Sequence, residues 1–189
     1  MRNKIKYVKV AFGATSGANE DVIYKVNEVT EAPYWRPEET DAKLMGGFSF
    51  STNATILRWL IRGDTLYDVI LPDDAEIVTV DNPSVPNGVF RTNKIILTNP
   101  RIITDDVAMY LYEKSELPQK TYYKALAGLA IRGYINTAKR LIEDKVNSEN
   151  IDIVLNEFDD FIKPGVRQQD DHKAYEDILA ILHKIKKER

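Results

Sequence analysis

An α+β fold, a mostly antiparallel bent N-terminal sheet with one helix followed by a four-helix C-terminal unit, is predicted by three features of this 189-residue chain. In the first hundred residues, short runs of alternating apolar and polar side chains are separated by Gly, Pro, Asn and Asp, the period-two pattern of half-buried strands. After Asn99-Pro100 the apolar residues recur at three- and four-residue spacing, which is helical. Strands gathered before helices, rather than alternating with them, imply an antiparallel sheet and a separate helical layer. The expected division is a mainly β region over 1–100 and an α-helical region over 101–189.

Residues 6–12 alternate as a strand and lead into the small-residue loop Gly13-Ala14-Thr15-Ser16-Gly17-Ala18-Asn19. Residues 21–29 read as a second strand. Pro33-Tyr34-Trp35-Arg36-Pro37 and Glu38-Glu39-Thr40-Asp41 read as loop by their prolines and charges, with the aromatics packed down. The segment Gly46-Gly47-Phe48-Ser49-Phe50-Ser51-Thr52 is a strand, with Phe48 and Phe50 on the buried face. It runs into a helix over 53–62, capped by Thr52 or Asn53 and ended by Gly63-Asp64. Strands over 65–71 and 76–80 flank Pro72-Asp73-Asp74, and Asn87-Gly88 turns into a strand pair or one long strand over 88–98. The sheet half thus holds about six strands and one helix, the helix over 53–62, around which the bent sheet is expected to wrap.

Thr104-Asp105-Asp106 signals a helix start. Helices follow over 105–115, 120–146, 149–162 and 171–187, punctuated by Pro118, Asn147-Ser148 and Lys163-Pro164-Gly165. In the long second helix Tyr122, Leu126, Leu129, Ala130, Gly133, Ala138, Leu141 and Ile142 form one broad apolar face. Gly128 and Gly133 leave room there for a close neighbour or a bend.

Composition narrows the function. A hydrophobic share of 43% with 29% charged residues is that of an ordinary globular protein. The charge is spread evenly: residues 1–100 carry 11 basic and 13 acidic side chains and residues 101–189 carry 15 and 16, so neither half is a basic nucleic-acid module by bulk charge. The chain has no cysteine, which removes disulfides, thiolate metal sites and cysteine nucleophiles, and suits the cytoplasm of a bacterial host. His172 and His183 are not at metal-ligand spacing. The pairs Asp73-Asp74, Asp105-Asp106, Asp159-Asp160 and Asp170-Asp171 mostly fit helix starts and helix surfaces. No metal site and no catalytic residue is therefore assigned.

The strand-to-helix junction is the leading candidate ligand site. Gly46 and Gly47 would permit close approach, Ser49, Ser51 and Thr52 would offer hydroxyls to a phosphate or ribose, and Arg58 would add positive charge. The same residues fit a covered strand whose last hydroxyl caps a helix. A second candidate is Arg91, Asn93 and Lys94, a basic pair flanking a Thr-Asn turn that would meet phosphate or an acidic partner, or would be solvated hairpin charges. A third is the face of the long helix bearing Arg132 and Arg140 beside Lys124 and Lys139, interrupted by Glu143 and Asp144.

Residues 44–80, from G-G-F-S-F-S-T through Gly63-Asp64-Thr65-Leu66-Tyr67-Asp68-Val69-Ile70-Leu71-Pro72-Asp73-Asp74-Ala75-Glu76-Ile77, resemble the middle of ADP-ribosyltransferase-type folds. The resemblance implies a nicotinamide-ribose site on the Ser/Thr strand, with NAD or another nucleotide as ligand. The family's catalytic glutamate has no counterpart in Gly88-Val89-Phe90-Arg91-Thr92-Asn93-Lys94-Ile95-Ile96-Leu97, and Glu76 replaces it only under a different strand order, so transfer chemistry lacks its main electrostatic contribution. Over residues 6–164 the chain resembles small proteins encoded by phages and mobile elements of Gram-positive bacteria, on residues 46–52, Leu57-Arg58-Trp59-Leu60, the stretch from Gly88 to Leu97, Leu117-Pro118 and Tyr122-Tyr123. That resemblance implies an anti-defence protein, most concretely an anti-CRISPR, whose acidic and aromatic residues would cover a basic nucleic-acid channel on a host nuclease or hold it in an inactive state. A nucleotide-binding protein and a nucleic-acid-binding accessory factor are the other expectations.

Overall fold

The computed structural model describes residues 6–15, 22–161 and 170–188. The expected loop residues 16–19, the strand start at Asp21 and the Lys163-Pro164-Gly165 helix stop lie outside the described residues. The fold is α+β. Two compact units are formed, Met1–Ile56 with Arg62–Ile103, and Leu57–Ile61 with Thr104–Arg189.

The first unit is built on a seven-stranded antiparallel sheet. In chain order the strands are β1 (Tyr7–Ala11), β2 (Val29–Glu31), β3 (Phe48–Thr52), β4 (Thr65–Ile70), β5 (Ile77–Thr79), β6 (Phe90–Thr92) and β7 (Lys94–Ile102). In space they run β2-β7-β4-β1-β3-β6-β5. The alternation of Phe48 and Phe50 with Ser49 sends both rings to one face, where they join Ala11, Tyr24, Tyr67, Val69, Ile95 and Leu97 in a buried cluster. Ring geometry adds specificity: Phe50 meets Tyr7 edge-on at 5.1 Å and stacks on Phe90 at 5.4 Å, and Tyr24 meets Phe48 edge-on at 5.4 Å. The β4–β7 register shifts between Leu66 and Asp68, opposite Asn99-Pro100. Asn99 takes φ 50° and Pro100 donates no ladder bond, so the long strand bulges there.

Three local expectations are corrected. The strand expected over 21–29 is only an Ile23–Thr15 bridge, because Asn27 enters the left-handed region at φ 66° and Glu28 N–H closes a turn onto Lys25 O at 3.1 Å; β2 begins at Val29. Inside the stretch read as loop and strand entry stands a short helix, α1 (Ala42–Met45), started by the Asp41 carboxylate accepting Lys43 N–H and ended by Gly46 at φ 72°. The helix expected over 53–62 is a 3-10 helix, Ile56–Arg62. Its residues Leu57–Ile61 group with the helical unit and not with the sheet expected to wrap them.

The second unit contains α2 (Asp105–Glu113), α3 (Gln119–Ile131), α4 (Ile135–Lys145), α5 (Ile151–Phe161) and α6 (His172–Lys187). The helix expected over 120–146 is two, so among the described residues this half of the chain has five α-helices where four were expected. The break is a Schellman motif: Tyr134 N–H bonds Leu129 O at 2.9 Å, Gly133 N–H bonds Ala130 O at 3.0 Å, and Gly133 takes φ 75°. α3 is buried at every position from Thr121 to Ile131 except Lys124, the signature of a central helix covered all round. A Cβ on Gly128 would stand 3.5 Å from Ile61 Cβ, an ordinary contact, so the glycine lies directly under the 3-10 segment. The side chain of Tyr134 does not cap α4. Instead Asp105 reaches over from α2, its carboxylate accepting from Asn136 N–H at 2.8 Å, Thr137 N–H at 3.0 Å and Thr137 Oγ1 at 2.6 Å. Asp171 does the same for its own helix, accepting Ala174 N–H at 2.9 Å. One member of each of these acidic pairs, Asp105 for α4 and Asp171 for α6, is thus a helix cap.

Candidate functional site

The two glycines of the leading candidate are filled against by the protein's own aromatics. A Cβ on Gly46 would fall 2.4 Å from Tyr34 O, and one on Gly47 would fall 2.6 Å from the Trp35 ring and from Thr92 O. Both glycines also hold positive φ, so they let the 34–35 segment lie flat on the start of β3. Trp35 is fixed there by donating its indole N–H to Glu76 Oε2 at 2.7 Å.

The hydroxyls at the other end of β3 form a cluster directed inward. Ser51 is buried and donates to Gly88 O at 2.5 Å. Thr55 donates to the same carbonyl at 3.1 Å and lies 2.7 Å from Ser51 Oγ and 3.1 Å from Thr52 Oγ1. Together they fasten the turn at Gly88 to the end of β3. Ser49 is half-buried, and its carbonyl accepts a bond from Lys9. Arg58 belongs with the helical unit, where its guanidinium lies 4.8 Å from the Trp59 ring centre. The structure therefore places the five strand residues on one segment and counts Arg58 with the other unit.

The second candidate group is also drawn inward. Arg91, expected as a charge beside a turn, is buried: its Nε donates to Gly46 O at 2.7 Å and its Nη2 to Gly47 O at 3.3 Å. Burial pulls its pKa down, against the opposing pull of Tyr34 and Tyr24. Asn93 accepts Glu76 N–H at 2.9 Å on its side chain and Ala32 N–H at 2.8 Å on its carbonyl, so it organises the turn. Lys94 pairs with Asp74 at 2.5 Å and Glu31 at 3.3 Å, and the bond to Asp74 raises its pKa. In the third group, Arg132 is half-buried at the end of α3, while the exposed Arg140 pairs with Asp144 at 3.0 Å on α4. The helix break at Gly133 separates the two arginines that a continuous helix would have aligned.

Comparison of the chain with family models, curated proteins and solved structures finds no match.

Sequence reasoning missed Lys9. Val8 and Val10 look like the buried face of β1, which sends Lys9 toward solvent, yet both faces of this strand are covered. Lys9 is only 8% exposed; its ammonium donates to Ser49 O at 2.5 Å and lies 5.6 Å from the Tyr24 ring centre. Burial, and then the charge of Arg91, push its pKa down from 10.5 to about 7.

Two surface features remain after these assignments. On the sheet, Val29 of β2 stands opposite Ile96 of β7, which stands opposite Ile70 of β4, so the three share one face. Val29 and Ile70 are 51% and 52% exposed. On one side of this row Lys94 carries Glu31 and Asp74; on the other Asp68 holds Lys6 at 3.2 Å and Arg101 at 2.5 Å. In the helical unit, a groove of about 520 Å³ opens between the α2–α3 connection and the carboxyl end of α4, with Tyr122, Asp144, Lys145 and Asn150 among its walls. Among the described residues no group of three or more His, Asp or Glu is placed to hold a metal ion, and no helix is long and apolar enough to cross a membrane.

Proposed function

We propose that this chain is a binding protein that acts by covering a partner, most concretely a phage-type inhibitor that occludes a host defence complex such as a CRISPR–Cas nuclease. The row of exposed Val29 and Ile70 with half-buried Ile96 between them supports this reading, because an apolar centre between paired charges is the anatomy of a protein contact surface. Three branched aliphatic side chains in cross-strand register form a flat, stiff patch that loses little entropy on docking. The ion pairs on either side exclude partners that would leave those charges unmatched. The partner class comes from the likeness to phage and mobile-element proteins.

The test pairs interference with contact. The chain is expressed beside an active CRISPR nuclease and plasmid survival is measured, while the purified proteins are examined for co-elution. Survival should rise with the wild-type chain and fall back with Ile70→Asp, a solvent-facing change that leaves the core alone. Unchanged interference together with no co-elution would reject the reading.

A further inference from the structure

The groove at the carboxyl end of α4 has an aromatic wall that already carries a cation. Lys145 Nζ lies 4.2 Å from the centre of the Tyr122 ring, well inside the range of a cation–π contact. The ring is held in place by its own hydroxyl, which donates to Ser115 O at 2.8 Å and accepts from Leu117 N–H at 3.3 Å. The opposite wall is equally fixed: Asn150 Nδ2 donates to Lys145 O at 2.8 Å and to Tyr123 OH at 3.1 Å. Asp144 receives Tyr112 OH at 2.9 Å and Arg140 Nε at 3.0 Å, both on Oδ2. These two donors keep its carboxyl below the ordinary carboxylate range, so it stands in the groove wall as a charged acceptor. Glu143 is exposed beside it, and the carboxyl end of α4 adds the negative end of the helix dipole.

From these features we infer that the groove is a seat for the guanidinium of an arginine in a basic peptide segment, and that Lys145 is its intramolecular place-holder. A planar guanidinium can stack on Tyr122 and present its N–H edge to Asp144 and Glu143 at once, which the compact ammonium of Lys145 cannot do. An arriving arginine therefore displaces Lys145 into solvent, where its flexible stem readily carries it. This site lies wholly in the helical unit and is independent of the sheet face proposed above.

The full-length chain, labelled with nitrogen-15, is titrated with the tripeptide acetyl-Gly-Arg-Gly-amide and, separately, with acetyl-Gly-Glu-Gly-amide. The arginine peptide should give saturable amide shifts at Tyr122, Lys145 and Asn150, and the glutamate peptide none there. Lys145→Ala, by vacating the ring, should tighten arginine binding about threefold, and Glu143→Gln should weaken it about threefold. Both changes are on the surface, and an unchanged amide spectrum elsewhere verifies the fold. Absence of saturable shifts, equal shifts with the glutamate peptide, or weaker binding in Lys145→Ala would each overturn the assignment.

Discussion

Replacing Lys9 by methionine should remove a pH dependence of stability that this side chain imposes on the sheet unit. The folded amine titrates at about 7 and the unfolded one near 10.5. Between those values the unfolded chain binds a proton that the folded chain does not, so stability rises with pH across the window and is lost as pH falls toward 7. At about 1.4 kcal/mol per pH unit, the gap corresponds to an upper bound of about 5 kcal/mol below pH 7. Methionine keeps the unbranched stem and drops the charge, but it abandons the bond to Ser49 O at 2.5 Å, which costs about 1–3 kcal/mol at every pH. The slope is therefore the clean observable. Urea unfolding of both proteins between about pH 7.5 and about pH 9.5 should show the wild type gaining about 2 kcal/mol relative to Lys9→Met. Tyr67 and Tyr112, whose phenols burial pushes up, lower stability only above the ordinary tyrosine range and do so in both proteins. Stability curves that run parallel within about 0.5 kcal/mol would refute the reasoning and mean that Lys9 stays protonated in the fold.

Gly47→Ala forces a side chain into a positive-φ position and against Thr92 O and the Trp35 ring; it should cost about 2–3 kcal/mol, read as a lower urea midpoint with blue-to-red movement of tryptophan emission as Trp35 loses its seat. Asp105→Ala strips the amino end of α4 of its carboxylate cap and leaves the buried Thr137 hydroxyl with less to bond; a loss of about 2 kcal/mol is expected, with faster amide exchange at Asn136 and Thr137 than elsewhere in α4. Uniformly raised exchange would assign Asp105 to packing instead of capping.

What could be read from the sequence is what local chemistry decides. The alternation of residues 65–70 gives β4, the Thr104-Asp105-Asp106 start gives α2, and Asp171 gives the start of α6. Signals that were present but outweighed account for the errors of segmentation. Asp41 and Gly46 bracket α1 with a proper cap at each end, yet only four residues separate them. Gly133 reads as room for a bend, and the continuous apolar pattern through it conceals a full helix stop. The surroundings of the candidate residues were hidden for a different reason. Arg91 is turned inward by carbonyls at Gly46 and Gly47, and Ser51 by the carbonyl of Gly88, partners that lie far away in sequence. A hydroxyl or guanidinium looks available until the segment that satisfies it is in place. Lys9 is the converse, a charge that strand alternation places outside and the covering of both sheet faces places inside.

The five residues Leu57–Ile61 leave a sheet strand, join the helical unit and return to the sheet at Thr65. On the ribosome they emerge long before α3, so Ile61 has no Gly128 beneath it until some seventy further residues, about 4–14 s of synthesis, have been added. The helical half is also not a transplantable piece: a protein begun at Thr104 would lack the segment that lies on its central helix. Circular permutation that opens the chain between Gly63 and Thr65 would sever that excursion at one end, whereas opening it in the α4–α5 turn at Asn147-Ser148 would leave the excursion continuous at both.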